Sequence, residues 1–222
     1  MSDTDSFINE VTEEVQKDKL WGYVRKYGWI AVLAIIGIVG GAAWNEVNKA
    51  RNLAVAQSTG DALIAGLNET DPTARAALLS TVNAEGAANA VTALLTAGAQ
   101  QDAGDGAAAA QTLEALVVNQ DIPKIYRDLA AFKAAMIDTG DNATRRQSLE
   151  ALSVPGAPFA LLAQEQLAFM DVAVGDTVAA VAKLNAIAED AAVTDGLRQR
   201  VLTLLVALGE DIAPAGAEAA AE

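Results

Sequence analysis

Apolar and polar positions along this chain follow two different patterns. From Tyr27 to Asn45 it reads YGWIAVLAIIGIVGGAAWN, nineteen residues without a formal charge, closed by Lys26 and Glu46. As an α-helix this run is about 28 Å long, close to the ~30 Å hydrocarbon thickness of a bilayer. Trp21, Tyr23, Tyr27 and Trp29 crowd one end and Trp44 marks the other. Amphipathic rings at both ends are what the two membrane–water interfaces select, whereas a buried core helix has no reason to carry them. A signal peptide opens short and basic. Here 26 residues precede the run, with Asp3, Asp5, Glu10, Glu13, Glu14 and Asp18 among them. The pattern predicts an uncleaved transmembrane helix over 27–45.

Beyond the span the period changes. Apolar residues recur three and four apart, as in Leu129, Phe132 and Met136, or Leu197, Val201, Leu204, Leu205 and Leu208. That spacing is helical, and no stretch alternates as a strand would. The fold class expected is all-α: one N-terminal transmembrane helix followed by a solenoid of helix-turn-helix repeats. Gly-Asp recurs at Gly104-Asp105, Gly140-Asp141 and Gly175-Asp176, with Gly209-Glu210 one step further, at a period of about 35 residues. The thirteen residues beginning at each Gly match without gaps: GDGAAAAQTLEAL, GDNATRRQSLEAL and GDTVAAVAKLNAI. Leu113, Leu149 and Leu184 share one register; Leu116, Leu152 and Ile187 share another. Ala115, Ala151 and Ala186 share a third, read here as the small contact position where paired helices close.

In each unit Gly supplies the left-handed residue that ends one helix, and Asp caps the next. One hairpin cannot bury its apolar face, so neighbours stack. First helices are predicted over 88–103, 124–139, 158–174 and 195–208, and second helices over 106–118, 142–152 and 177–190. Asp71-Pro72 predicts a cap and a short helix over 72–83. The domains expected are 1–26 as a cytoplasmic segment, 27–45 as the span, 46–70 as a linker helix ending near Gly66 and Asn68, 71–212 as the repeat domain, and 213–222 as a low-complexity, disordered tail.

Charge then narrows the function. The chain has 15 Lys and Arg against 29 Asp and Glu, a net charge of -14, with no His and no Cys. Thiolate nucleophiles, disulfides, His-based triads and Cys or His metal sites are excluded. Nucleic acid is disfavoured as a partner, because its phosphates would be repelled. Carboxylate pairs at Asp102/Asp105, Glu189-Asp190 and Glu210-Asp211 sit at turns and helix ends and read as solvated caps. No D-x-D-x-D-G loop or G-x-x-x-x-G-K loop occurs. Neither catalytic residues, nor a metal, nor a cofactor is expected, and the chain reads as a non-enzyme.

Two sets of residues remain as candidate partner contacts. In the span, Ala34, Gly37 and Gly41 fall on one face, with Gly37 and Gly41 in the G-x-x-x-G spacing that admits another helix closely. On the first helices of the repeats stand Arg127, Lys133, Glu165, Arg198 and Arg200, a mainly basic minority suited to an acidic partner segment. Arg145-Arg146, on a second helix, reads as solvated. Lys17, Lys19, Arg25 and Lys26 precede the span and only Lys49 and Arg51 follow it closely. This places the N-terminus in the cytoplasm and the repeats outside it.

The period resembles that of tetratricopeptide repeats, although Tyr126, Phe132, Phe159 and Phe169 are the only aromatics after the span. The whole layout is more specific. An acidic amphipathic start (Phe7, Ile8, Val11, Val15) leads to Lys19-Leu20-Trp21 and Arg25-Lys26-Tyr27-Gly28. A Gly-rich span then ends in Trp44, a polar helix follows with Ala54, Ala56 and Ser58, and the repeat units come last. This resembles the YfgM-like ancillary subunits of the bacterial SecYEG translocon. The resemblance implies a single-pass inner-membrane protein with a periplasmic protein-binding domain, acting as a scaffold in protein translocation. Its implied partners are the Sec translocon, a periplasmic chaperone, client polypeptides and the lipid bilayer. The alternative is an accessory structural subunit of another inner-membrane complex, respiratory or photosynthetic.

Overall fold

The computed structural model describes residues 3–137 and 140–210. Every regular element among them is a helix. The chain divides into two compact units, Met1–Ser58 and Thr59–Glu222, and the first helix, α1 (Asp3–Leu67), runs through the boundary. The remaining helices are α2 (Pro72–Ser80), α3 (Gly86–Asp102), α4 (Gly106–Val118), α5 (Lys124–Met136), α6 (Asn142–Leu152), α7 (Ala160–Ala173), α8 (Thr177–Glu189) and α9 (Asp195–Ala207).

In the first unit the apolar run is helical throughout and uncovered. Its best window has a mean hydropathy of 1.8 and none of it is buried. Ile38 is 72% exposed and Trp44 75%. A core helix of a soluble fold would hide these side chains. The segment is long and apolar enough to cross a membrane. The linker helix predicted over 46–70 is continuous with the span and stops at Leu67. The amphipathic side chains of Phe7, Ile8, Val11 and Val15, the predicted helix end at 138–139 and the tail 213–222 lie outside what the structure describes.

The second unit follows the predicted hairpins to within a few residues. Gly104, Gly140, Gly175 and Gly209 all have positive φ, between 80° and 91°. At Gly104 the turn closes with its N–H on the Gln101 carbonyl (2.9 Å) and the Asp105 N–H on the Gln100 carbonyl (2.8 Å). Gly175-Asp176 and Gly209-Glu210 repeat the same pair of bonds. This is the Schellman closure, which satisfies the last carbonyls of a helix. Asp105 and Asp176 then accept from Ala108 and Ala179 N–H groups at 2.9 and 3.0 Å. Asp141 accepts from both Ala143 and Thr144. Bonds to Thr144, first from its backbone N–H and then from its side chain, hold the Asp141 carboxyl below its ordinary pKa.

Each helix from α2 onward packs against the next, and α3 also reaches α5. Among the described residues three apolar clusters follow one another in chain order. The first joins α3, α4 and α5 around Leu113 and Leu116. The second joins α5, α6 and α7 around Leu149 and Leu167. The third joins α7, α8 and α9 around Leu184, Ile187 and Val201. The two shared Leu and Ile registers of the sequence are therefore the buried faces of α4, α6 and α8. The third register is not: Ala115, Ala151 and Ala186 are exposed. They come two residues after the buried Leu113, Leu149 and Leu184, about 200° around a helix. The small interior position is instead five residues past each corner glycine, where Ala109 and Ala180 are fully buried. In the middle unit that same position is Arg145.

Candidate functional site

Ala34, Gly37 and Gly41 stand in the exposed part of α1. A Cβ built on Gly37 or Gly41 would meet nothing within 4 Å, so no side chain among the described residues occupies this face.

The five charged candidates on α5, α7 and α9 do not converge. Arg127 donates from Nη1 to the Gln120 side-chain carbonyl at 2.9 Å, and its Nε is buried without a partner. Lys133 is half-buried in the last turn of α5, where a cation suits the negative end of the helix dipole. Arg198 donates from Nε to the Ala188 carbonyl at 3.3 Å, crossing to the last turn of α8. Only Glu165 and Arg200 meet. Nε and Nη2 of Arg200 donate to the two carboxylate oxygens of Glu165, each at 2.9 Å. That bidentate bond raises the Arg200 pKa. The pair lies in a cleft of about 500 Å³ between α7 and α9, beside Phe169, Gln199 and Leu204. Arg198 lines a separate cleft on α9, with Leu202 and Val206.

A second charged cluster was not legible in the residue spacing. Asp171 of α7 accepts from Lys183 of α8 at 2.6 Å and from Arg146 of α6 at 2.9 Å. Its side chain is 6% exposed, against 33% for each cation. Burial pushes the Asp171 carboxyl up. Hydrogen bonds from Lys183 and then Arg146, with their charges, outweigh burial and hold it below the usual carboxylate range. One carboxylate thus ties three successive helices together. Arg145-Arg146 is accordingly not a solvated pair: both residues are half-buried. The sequence signal that would have found them is the register itself, since the pair replaces Ala109-Ala110 of one unit and Ala180-Val181 of the next.

Between α6 and α7 these arginines line a cleft of about 450 Å³ with Phe169, Met170 and Val174. Phe169 is shared with the α7–α9 cleft and is 42% exposed, a ridge between two hollows. Asp102, one of the carboxylates at the turns, pairs with Arg75 at 3.4 Å, and Asp190 accepts the Ala192 N–H at 2.7 Å. Among the described residues no three acidic side chains converge to hold a metal ion.

Comparison with known proteins gives no match: no family model, no curated protein and no solved structure aligns with the chain. Its chemistry is therefore read from its own surfaces. What the second unit presents is arginine and exposed aromatic surface beside two open clefts. Such a lining suits contact with another polypeptide.

Proposed function

We propose that this chain is a membrane-tethered, non-enzymatic scaffold: a single-pass anchor carrying a tetratricopeptide-like helical solenoid that binds protein segments. The observation that carries the reading is the recurrence of one left-handed corner at Gly104, Gly140, Gly175 and Gly209, in a chain whose N-terminal helix leaves its apolar run uncovered. Stacked hairpins of this kind offer extended surfaces for partner segments. Tethering holds such a surface beside a membrane machine and raises its effective concentration, so modest affinity suffices.

The machine we assign is the Sec translocon of the bacterial inner membrane, with a periplasmic chaperone and emerging chains as partners. The basis is the YfgM-like layout of anchor, polar helix and repeats. The orientation follows from the basic residues ahead of the span, with the N-terminus in the cytoplasm and the repeats in the periplasm.

The absence of Cys makes the topology directly testable. A single Cys placed at Ser6 or at Ser58 is challenged in intact cells with a membrane-impermeant thiol reagent. Labelling at Ser58 and protection at Ser6 is expected, and the reverse pattern rejects the orientation. Purification in mild detergent tests the partner. Recovery of translocon subunits supports the assignment. A fixed stoichiometry with a cofactor-bearing respiratory or photosynthetic complex, without translocon, replaces it with the structural-subunit alternative.

A further inference from the structure

The second helices of the outer two repeats bury Ala109 and Ala180 completely, five residues past their corner glycines. In the middle unit the equivalent residue is Arg145, and the next is Arg146. A guanidinium at an interior alanine position needs compensation, because a desolvated cation is costly unless paired. Arg146 has it, from Asp171. Arg145 does not: its Nε is buried and without a hydrogen-bond partner. Arg145 lines the cleft between α6 and α7 and also a second cleft shared by α4, α5 and α6.

The charge of the α6–α7 cleft runs against that of the whole chain. The chain carries -14, yet the charged residues of this lining are Arg145 and Arg146, with no carboxylate among them. Asp171 is already held by Arg146 and Lys183, and Glu114 and Asp141 share with Arg145 only the second cleft. Beside the arginines the wall is apolar. Phe169 and Val174 are exposed, Val174 by 74%. A planar guanidinium with free donors recognises carboxylates, and exposed aromatic and aliphatic side chains next to it recognise apolar ones.

We infer that the α6–α7 cleft is the docking site for an acidic, apolar-rich segment of a partner polypeptide, with a carboxylate on Arg145 and an apolar side chain against Phe169 and Val174. This names the kind of segment the scaffold takes. It rests on the protein-binding reading but not on the translocon assignment.

The test uses the full chain in phosphatidylcholine nanodiscs and a fluorescein-labelled twelve-residue peptide of alternating Glu with Leu and Phe. A Lys-for-Glu peptide is the control. The acidic peptide is expected to bind and the basic one not, with affinity falling as salt rises. Arg145→Ala restores the residue of the neighbouring units, so the fold should keep or gain thermal stability. The same change should lose about tenfold in peptide affinity, the worth of one charged hydrogen bond. Phe169→Ala should weaken binding severalfold. Four results overturn the inference. One is equal binding of both peptides. Another is unchanged affinity in Arg145→Ala and Phe169→Ala. The third is a marked loss of melting temperature in Arg145→Ala, which would make the arginine a structural element. Peptide binding that disappears as protein concentration rises would give the cleft to a second copy of the chain and equally reject it. Failure to recover translocon subunits in detergent would leave this result untouched, so the two readings fail separately.

Discussion

Glu165 of α7 and Arg200 of α9 form a two-point ion pair across 35 residues of sequence, one full repeat, at 2.9 Å on each side. The carboxylate is 5% exposed and the guanidinium 56%. Arg200 is therefore the dispensable partner from its own side and the necessary one for Glu165. Replacing Arg200 with Gln should cost about 2 kcal/mol, because a buried carboxylate loses its charge partner while the exposed side of the pair was already screened by water. Glu165→Gln should cost less, since Arg200 can turn to solvent. Urea unfolding of both single variants and the double variant would measure the coupling. Additive effects would show that the pair contributes nothing as a pair.

Asp171 contributes to the acid side of the stability profile. Its folded carboxyl has a pKa below the unfolded one, so its contribution is complete above the unfolded value, about 4. It is lost as pH falls through the lowered folded value. The second unit should thus hold its stability from neutral pH down to about pH 4 and weaken below it. Asp171→Asn should flatten part of that fall and cost roughly 1–3 kcal/mol at pH 7, with Arg146 and Lys183 one-third exposed and able to reach water. Denaturant midpoints from pH 3 to 7 for both proteins would decide it.

Glycine means different things at different places, and alanine separates them. Gly175 has φ of +83°, so Gly175→Ala should lose about 1–2 kcal/mol to left-handed strain. Gly98 lies inside α3 with nothing within 4 Å of a built Cβ, so Gly98→Ala should gain roughly 0.5–1 kcal/mol. Thermal melts should move in opposite directions. A common direction would contradict the assignment of Gly175 as a corner.

Gly66 is neither a corner nor an idle helix residue. Its built Cβ would stand 2.7 Å from Leu79 Cδ2 and 3.0 Å from Cγ. Leu79 is wholly buried and has little room to retreat. Gly66→Ala should destabilise the second unit by about 1–3 kcal/mol through overpacking, despite the better helix propensity of Ala. Recovery of the loss in Gly66→Ala with Leu79→Val would identify the contact as the cause.

The long apolar helix, the all-helical class and the hairpin corners were legible in the sequence because each is a local property. A charge-free run of bilayer length, a 3.6-residue period and a Gly that must go left-handed before a capping Asp need no distant neighbour to be read. Leu113, Leu149 and Leu184 were legible for the same reason, repetition having marked one helix face three times.

Which small residues touch, and which charges meet, was decided by tertiary structure alone. Ala115, Ala151 and Ala186 shared a register as regular as that of the leucines, yet they face water while Ala109 and Ala180 do not. In an alanine-rich chain repetition marks a position without saying which way it points. The charged candidates on α5, α7 and α9 looked like one group because they share a helix type. Packing sent Arg200 to Glu165, Arg198 to the end of α8 and Arg127 to Gln120, and it left Arg145 half-buried at the register where Ala109 and Ala180 are interior. An ion pair depends on where two side chains end after helices far apart in sequence have packed, and no spacing along the chain encodes that distance.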